Sequence, residues 1–443
     1  MFANKKMKIK KIISLSLLFT TIALNSVIAK DLKPQKNIVF ETKDKNTIDL
    51  YKNVEKIFED IQKTRNLFAK KPVKIGIKTK AQVKDFLSKT IKTDYPDKMV
   101  KKDYLLLLKL GLIKEGINLK EILLNSYAQQ IAGFYDEKTK SLYVINEKSN
   151  LGQLESSIVI SHELVHALQD QNFHINKVVN KYELDSDKVL AKMALIEGEA
   201  TLASMQYVIG NMGLKTAFMP NLGDLMKSNL KSNTPSEMKD IPGFLSEQMF
   251  FPYIEGTRFC EYVYKQTNNW DDFNKVYKRL PESTEQIIHP EKYIKNEKPI
   301  KVNVKKWFLN DWRWNLLDYD TLGEFALNNW LLEYNDQKTS EKASSGWGGD
   351  KYAFFSKNDK ENIFVYKSVW DTEKDAVEFF DVIKDTIKLR YENNLNIEKD
   401  NKNEFLGRSK DGYIYISKKN KNVNLADGFP KDFQKKVMKY LGE

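Results

Sequence analysis

Apolar residues return at helical spacing from Tyr51 to Phe68, where Val54, Phe58, Ile61 and Leu67 mark one stripe, and this predicts an amphipathic helix. Val73-Lys74-Ile75-Gly76-Ile77 alternates as a strand does. Helical spacing resumes over Ala81 to Ile91, over Tyr95 to Leu112, which Gly111 and Gly116 punctuate, and over Leu119 to Ile131. Gly133-Phe134-Tyr135 and Leu142-Tyr143-Val144-Ile145 flank a polar turn and predict a hairpin. That hairpin is either an ordinary core element or an edge that pairs with an extended peptide. Val159 to Gln171 has no Gly or Pro and predicts a helix, and Asp187 to Ile209 predicts a second. Asn211 to Asp240, rich in Met, Asn, Ser and Gly, reads as a mobile loop over the helices before it. Gly243 to Asn268 and Trp270 to Arg279 are helical again. Ser283 and Gln286 are spaced as a capping box for a short helix that Pro290 ends.

Past Lys301 the character changes. Trp307, Trp312, Trp314 and Trp330 open a region with two short helical patterns. Gly346-Trp347-Gly348-Gly349-Asp350 reads as a glycine-rich turn feeding strands over Tyr352 to Phe355 and Ile363 to Trp370. Asp371-Thr372-Glu373-Lys374 caps a helix through Asn393; a strand over Gly412 to Ser417 and a helix from Lys431 follow. The glycine-rich turn lacks the Lys-Ser/Thr ending of a phosphate loop, which argues against nucleotide binding. The expected class is α+β and helix-rich, with a main domain over 48–300 and an α+β accessory domain over 301–443.

Composition adds a globular chain of 443 residues with 41% hydrophobic and 12% aromatic content. The net charge of +12 reflects a Lys-rich surface without the clustered Arg/Lys and aromatics of nucleic-acid binders, so no nucleic-acid partner is expected. Lys5, Lys6, Lys8, Lys10 and Lys11 precede an apolar run from Ile12 to Ala29, and Val27 and Ala29 suit a signal peptidase. Residues 1–29 are therefore expected to be a signal peptide and 30–47 a flexible lead-in. The mature protein would be periplasmic or extracellular, with no stable membrane span after cleavage; the alternative is an uncleaved membrane anchor. Cys260 is the one cysteine, so no internal disulfide can form and no lipobox follows the signal.

The candidate chemistry sits in the Val159–Gln171 helix, where His162, Glu163 and His166 form H-E-x-x-H. Residues four apart on a helix lie on one face, about 6 Å apart along the axis. Both imidazoles can then share a tetrahedral zinc ion, with Glu163 able to reach a water beside it. Half of the chain's four histidines stand at this spacing, in a helix whose Ile160, Leu164, Val165 and Leu168 predict burial. A catalytic zinc takes a third protein ligand. His174 is too near and lacks the accompanying glycine, whereas Ile196-Glu197-Gly198-Glu199 offers two carboxylates. At about 100° per residue, Glu197 falls with Leu190, Met193, Ala194, Thr201, Ser204 and Val208, and Glu199 with Lys188, Lys192 and Gln206. Glu197 is thus expected to point inward as the ligand and Glu199 toward water. One zinc ion per chain is expected.

HELVH with a downstream Glu-Gly on the next helix resembles the gluzincins, the thermolysin-like zinc metallopeptidases. GFYD…LYV, HELVHALQDQ, ALIEGEAT, STEQIIHPEKY and GWGGD are more closely similar to a family of largely uncharacterised secreted bacterial and archaeal proteins. The resemblance implies a zincin-like fold with His162, His166 and Glu197 on zinc and Glu163 as general base. The spacing from His166 to Glu197 is longer than in most gluzincins. The expected activity is hydrolysis of a peptide bond in a peptide or protein substrate. The alternatives are hydrolysis of a non-protein amide such as a cell-wall crosslink, or an inactive zinc-binding scaffold. His289 and Tyr253 are candidate oxyanion donors, or a helix-end histidine and a packed tyrosine. Asp170 orients a ligand from behind, or caps the helix end.

Overall fold

The computed structural model describes residues 38–40, 48–130, 133–136, 139–145, 153–179, 185–213, 221–233, 241–306, 311 and 313–442. The expected signal segment, most of the lead-in, and Trp307 and Trp312 lie outside the described residues. In chain order the first half holds β1 (Ile38–Phe40), α1 (Ile48–Arg65), β2 (Val73–Lys78), α2 (Lys80–Asp94), α3 (Asp97–Leu110), α4 (Leu119–Gln130), β3 (Gly133–Asp136) and β4 (Ser141–Ile145). There follow α5 (Gln153–Phe173), α6 (Ile175–Val178), α7 (Ser186–Asn211), α8 (Leu222–Asn233), α9 (Gly243–Thr267), α10 (Trp270–Phe273), a 3-10 turn (Asn274–Lys278), α11 (Thr284–Ile288) and α12 (Pro290–Ile294). The remainder is β5 (Asn315–Asp320), α13 (Gly323–Leu332), α14 (Gln337–Ser344), β6 (Trp347–Lys357), β7 (Glu361–Trp370), α15 (Glu373–Tyr391), β8 (Asn396–Asp400), β9 (Glu404–Ser409), β10 (Gly412–Lys419), β11 (Asn422–Phe429) and α16 (Gln434–Gly442). The architecture is mixed α+β, and no described helix is long and apolar enough to cross a membrane.

Local chemistry explains most boundaries. Thr79 and Gln82 cap each other's backbone to start α2, and Thr372 and Asp375 do the same for α15. Asp185 caps α7 by accepting from the Lys188 amide at 3.1 Å. The capping box expected at Ser283 is half made: its hydroxyl accepts from the Gln286 amide, while the Gln286 side chain takes the Glu282 amide instead. Three expectations are corrected here. Within the lead-in expected to be flexible, Ile38–Phe40 forms β1, which pairs parallel with β2 and buries Ile38, because its apolar residues extend the sheet. The stretch expected to be a loop over 211–240 contains α8, whose Leu222 is buried against the core, because Leu222, Leu225 and Met226 suit a helix despite the polar residues among them. Trp347–Asp350 is already the start of β6, with a bulge between Trp347 and Gly349, so the glycines serve strand irregularity and not a turn.

The first half is organised by a four-stranded sheet in the order β1-β2-β4-β3. Its first three strands are parallel, and β3 runs antiparallel to β4 along the edge, with Tyr135 opposite Leu142. Helix α5 lies under this sheet, burying Leu164, Val165 and Leu168 in a cluster with Ile75, Leu142, the α1 residues Val54, Phe58 and Ile61, and the α7 residues Leu190, Ala194 and Leu195. Each such side chain contributes roughly 1.5–3 kcal/mol over an exposed one. Helix α7 is buried on nearly every side, and it meets α9 at a glycine crossing. A Cβ added to Gly198 would lie 2.1 Å from the Gly256 carbonyl, and one on Gly256 would lie 2.1 Å from the Ala194 carbonyl oxygen.

The second half is a seven-stranded sheet in the order β5-β6-β7-β11-β10-β9-β8. It is not set apart from the first half. One hydrophobic cluster contains Val83, Leu107, Val189 and Met193 together with Trp330, Tyr352, Phe364 and Phe379. Across the same seam Lys102 pairs with Asp318 and Lys109 with Asp427, both at 3.0 Å and buried, and the Trp330 indole donates to the Leu110 carbonyl at 2.9 Å. Asp320 accepts from the Ser186 amide at 2.9 Å, which seats the start of α7 on the second sheet.

Burial, with Asp318 nearby, pushes the carboxyl of Asp320 from its usual 3.8 up to about 7. The folded chain therefore keeps a proton that the unfolded chain releases, so this group's contribution to stability falls as pH rises from about 4 to 7. Asp320→Asn should gain on the wild type across that window, by up to about 1.4 kcal/mol per pH unit, in thermal unfolding at a series of pH values. A difference that does not change with pH would count against it. Gly198→Ala should cost at least about 2–3 kcal/mol in denaturant unfolding, because two helix backbones must separate; a loss below about 1 kcal/mol, the ordinary cost of a surface change, would refute the crossing.

Candidate metal centre

The turn from His162 to His166 in α5 and the middle of α7 face one another, and three side chains converge between them. His166 Nε2 lies 3.0 Å from His162 Nε2 and 3.3 Å from Glu197 Oε2, and His162 Nε2 lies 3.2 Å from the same oxygen. The two rings stand edge to face at 87°. A tetrahedral ion with bonds of about 2.0–2.1 Å holds its ligands about 3.3 Å apart. The observed triangle has that size. Its donor set, two imidazole nitrogens and a carboxylate oxygen, is that of catalytic zinc. A proton could satisfy two of the three atoms at once, whereas a cation at the centre satisfies all of them.

Electrostatics agree with the geometry. Burial opposes charge on His166, but the Glu197 carboxylate prevails and takes the imidazole pKa up to about 10. Burial likewise opposes charge on Glu197, yet the His166 and His162 rings hold its carboxyl well below the usual range. The cluster thus draws positive charge to its centre.

Glu163 stands one residue on from His162 and is held from the opposite side. Its Oε2 accepts from the Tyr135 amide of β3 at 2.8 Å. Burial raises its pKa, and the imidazoles of His166 and His162 pull it partly back. The edge strand passes close to α5 at Gly133, where an added Cβ would lie 3.5 Å from Val159 and 3.8 Å from Glu163, and 3.3 Å from the Tyr143 carbonyl oxygen of β4.

The remaining expected residues fare differently. Tyr253 of α9 comes beside the cluster, its ring centroid 6.0 Å from that of His162. His289, between α11 and α12, turns its Nε2 to Glu324 of α13 at 2.9 Å. Asp170 accepts from the Tyr135 hydroxyl at 3.0 Å and from the Lys140 ammonium at 2.5 Å, tying α5 to the hairpin and not to a histidine. The supporting role belongs to its neighbour Gln169, whose Oε1 lies 2.8 Å from His166 Nδ1. Glu199, expected to face water, is fully buried and paired with Arg65 at 2.8 Å. At that level α7 has no solvent face, because α1 and the 3-10 turn cover it, so helical angle alone misplaces Glu199.

Residues 314–438 match a domain of unknown function, DUF8575. The match spans β5 to Met438 in α16 and includes none of His162, Glu163, His166, Gln169 and Glu197. No curated protein and no solved structure matches the chain.

Sequence reasoning missed Gln169, although it sits three residues past His166, on the side of the helix that faces α7. Its amide orientation is fixed, since Nε2 donates to the Ile196 carbonyl at 3.0 Å. Oε1 must then face His166, whose Nδ1 donates to it, which leaves Nε2 as the ring atom turned toward His162 and Glu197. Gln169→Ala should weaken zinc binding about 10–100-fold, read by competition with a chromophoric chelator. Affinity equal to wild type would show that His166 needs no such partner.

Proposed function

We propose that the chain is a zinc-dependent hydrolase of peptide bonds, with a zincin-like core of the gluzincin type and export by the segment 1–29. The observation that carries this reading is the convergence of His162, His166 and Glu197, with Glu163 aimed beside them by the Tyr135 amide. His162, His166 and Glu197 would hold the ion. When bound, zinc polarises a carbonyl and lowers the pKa of a coordinated water toward about 7.

The chain's own groups supply the rest. Glu163, partly shielded from solvent, takes the proton of the attacking water and passes it to the leaving amine. Tyr253, beside His162, is the group that can donate to the developing oxyanion. A peptide substrate is favoured by β3. The Tyr135 amide points away from β4 to reach Glu163, so by strand alternation the backbone of Gly133 turns to the same side. An extended peptide can add to that edge and bring its scissile bond over the cluster.

Purified protein should carry one zinc per chain and cleave members of a peptide panel. Glu163→Gln should retain the metal while kcat falls about 10²–10⁴-fold. Turnover at the wild-type rate would remove Glu163 from the mechanism, and metal well below one per chain would remove the zinc.

A further inference from the structure

Glu197 and Glu199 stand two residues apart on α7, about 200° apart around its axis. One faces α5 and the other faces away, with the α9 backbone pressed against Gly198 between them. A carboxylate with no exposed surface needs partners. Glu199 has two: Arg65 Nε, from the last residue of α1, at 2.8 Å, and the Tyr277 hydroxyl. Arg65 is itself fixed, donating to Asn274 Oδ1 at 2.6 Å with its guanidinium 4.1 Å above the Trp270 ring. Tyr277 is fixed by stacking on Phe173 of α5, 3.8 Å between centroids. Its hydroxyl lies 3.2 Å from Gln169 Nε2.

The direction of every bond in this series is forced. Arg65 can only donate, so Glu199 accepts. The Tyr277 proton goes to Glu199, which leaves its oxygen to accept from Gln169. Gln169 spends its amide hydrogens on Tyr277 and Ile196, so its oxygen faces His166, and His166 Nδ1 must donate. From this polarity we infer that Arg65, Glu199 and Tyr277 are positioning residues for the metal centre: a buried cation sets the direction of a hydrogen-bond series that joins the Ile196 carbonyl in orienting Gln169, and through it the tautomer and ring angle of His166. The inference rests on the reading of His162, His166 and Glu197 as a metal site. A buried ion pair by itself is a poor source of stability; this one also gives the Tyr277 hydroxyl a fixed acceptor.

Two substitutions break the direction while keeping the packing. Tyr277→Phe removes the hydroxyl and leaves the ring on Phe173. Glu199→Gln keeps volume and an acceptor for Arg65, but turns a donor toward Tyr277, whose proton then has no acceptor. Full-length wild type and variants are compared for Zn²⁺ dissociation constant and for the visible spectrum of the Co²⁺-loaded protein. Each variant should bind Zn²⁺ about 10–100-fold more weakly and show an altered Co²⁺ spectrum, since the geometry of one ligand is freed. Wild-type affinity and an unchanged spectrum in the variants would overturn the inference while leaving the metal site standing. A wild type that binds neither ion would overturn both. Should Glu199→Gln fail to fold, Tyr277→Phe alone decides, because it deletes one oxygen from a partly buried ring.

Discussion

Two glutamates on one buried helix constrain much of the first half of the molecule. Neither Glu197 nor Glu199 reaches water, and a buried carboxylate is tolerated only beside positive charge or several donors. The fold meets this demand twice, in opposite directions from α7. On one side α5 presents two imidazoles; on the other α1 ends in Arg65 and the 3-10 turn presents Tyr277. Gly198, between the two acids, has no side chain to spare, which is why α9 can close over the helix and exclude solvent from both. The His162–His166–Glu197 cluster and the arginine pair are therefore two answers to one burial problem, linked through Gln169.

The four-stranded sheet contributes by distance. Because β3 is the edge strand and passes close over α5 at Gly133, a backbone amide reaches Glu163 without help from a side chain. Asp170 and Lys140 fasten the hairpin to the same helix on the far side of Tyr135. The carboxylate that would act as base is thus aimed by the main chain, whose position is set by sheet register and not by a rotamer.

Local pattern made the centre legible and long-range pairing hid its support. His162, Glu163 and His166 lie within one helical turn, and Glu197 was identified because a helix interior repeats at a known angle. The same angle sent Glu199 to solvent, since periodicity tells where residues lie around one helix but not how many neighbours surround it. Arg65 stands 134 positions from Glu199, a separation that no spacing rule spans. In the second half, β8 is unreadable because its residues are exposed and, Ile397 apart, polar, and β11, Asn422–Phe429, interrupts its apolar alternation with Asn424, Asp427 and Gly428. Seven strands pair there across turns whose sequence signals are weak, and only the longest apolar runs, in β6, β7 and β10, announced themselves.

The seam between the halves bears on where one evolutionary unit could be lifted out of this chain. The segment that matches a family on its own begins at residue 314, within one residue of β5. Severed there, it would bring Trp330 and Tyr352 to the surface and leave Asp318 and Asp427 without their lysines. The other piece would lose the carboxylate that seats the first turn of α7. The edge of the matched segment therefore cuts across one hydrophobic cluster and two buried ion pairs that the halves share.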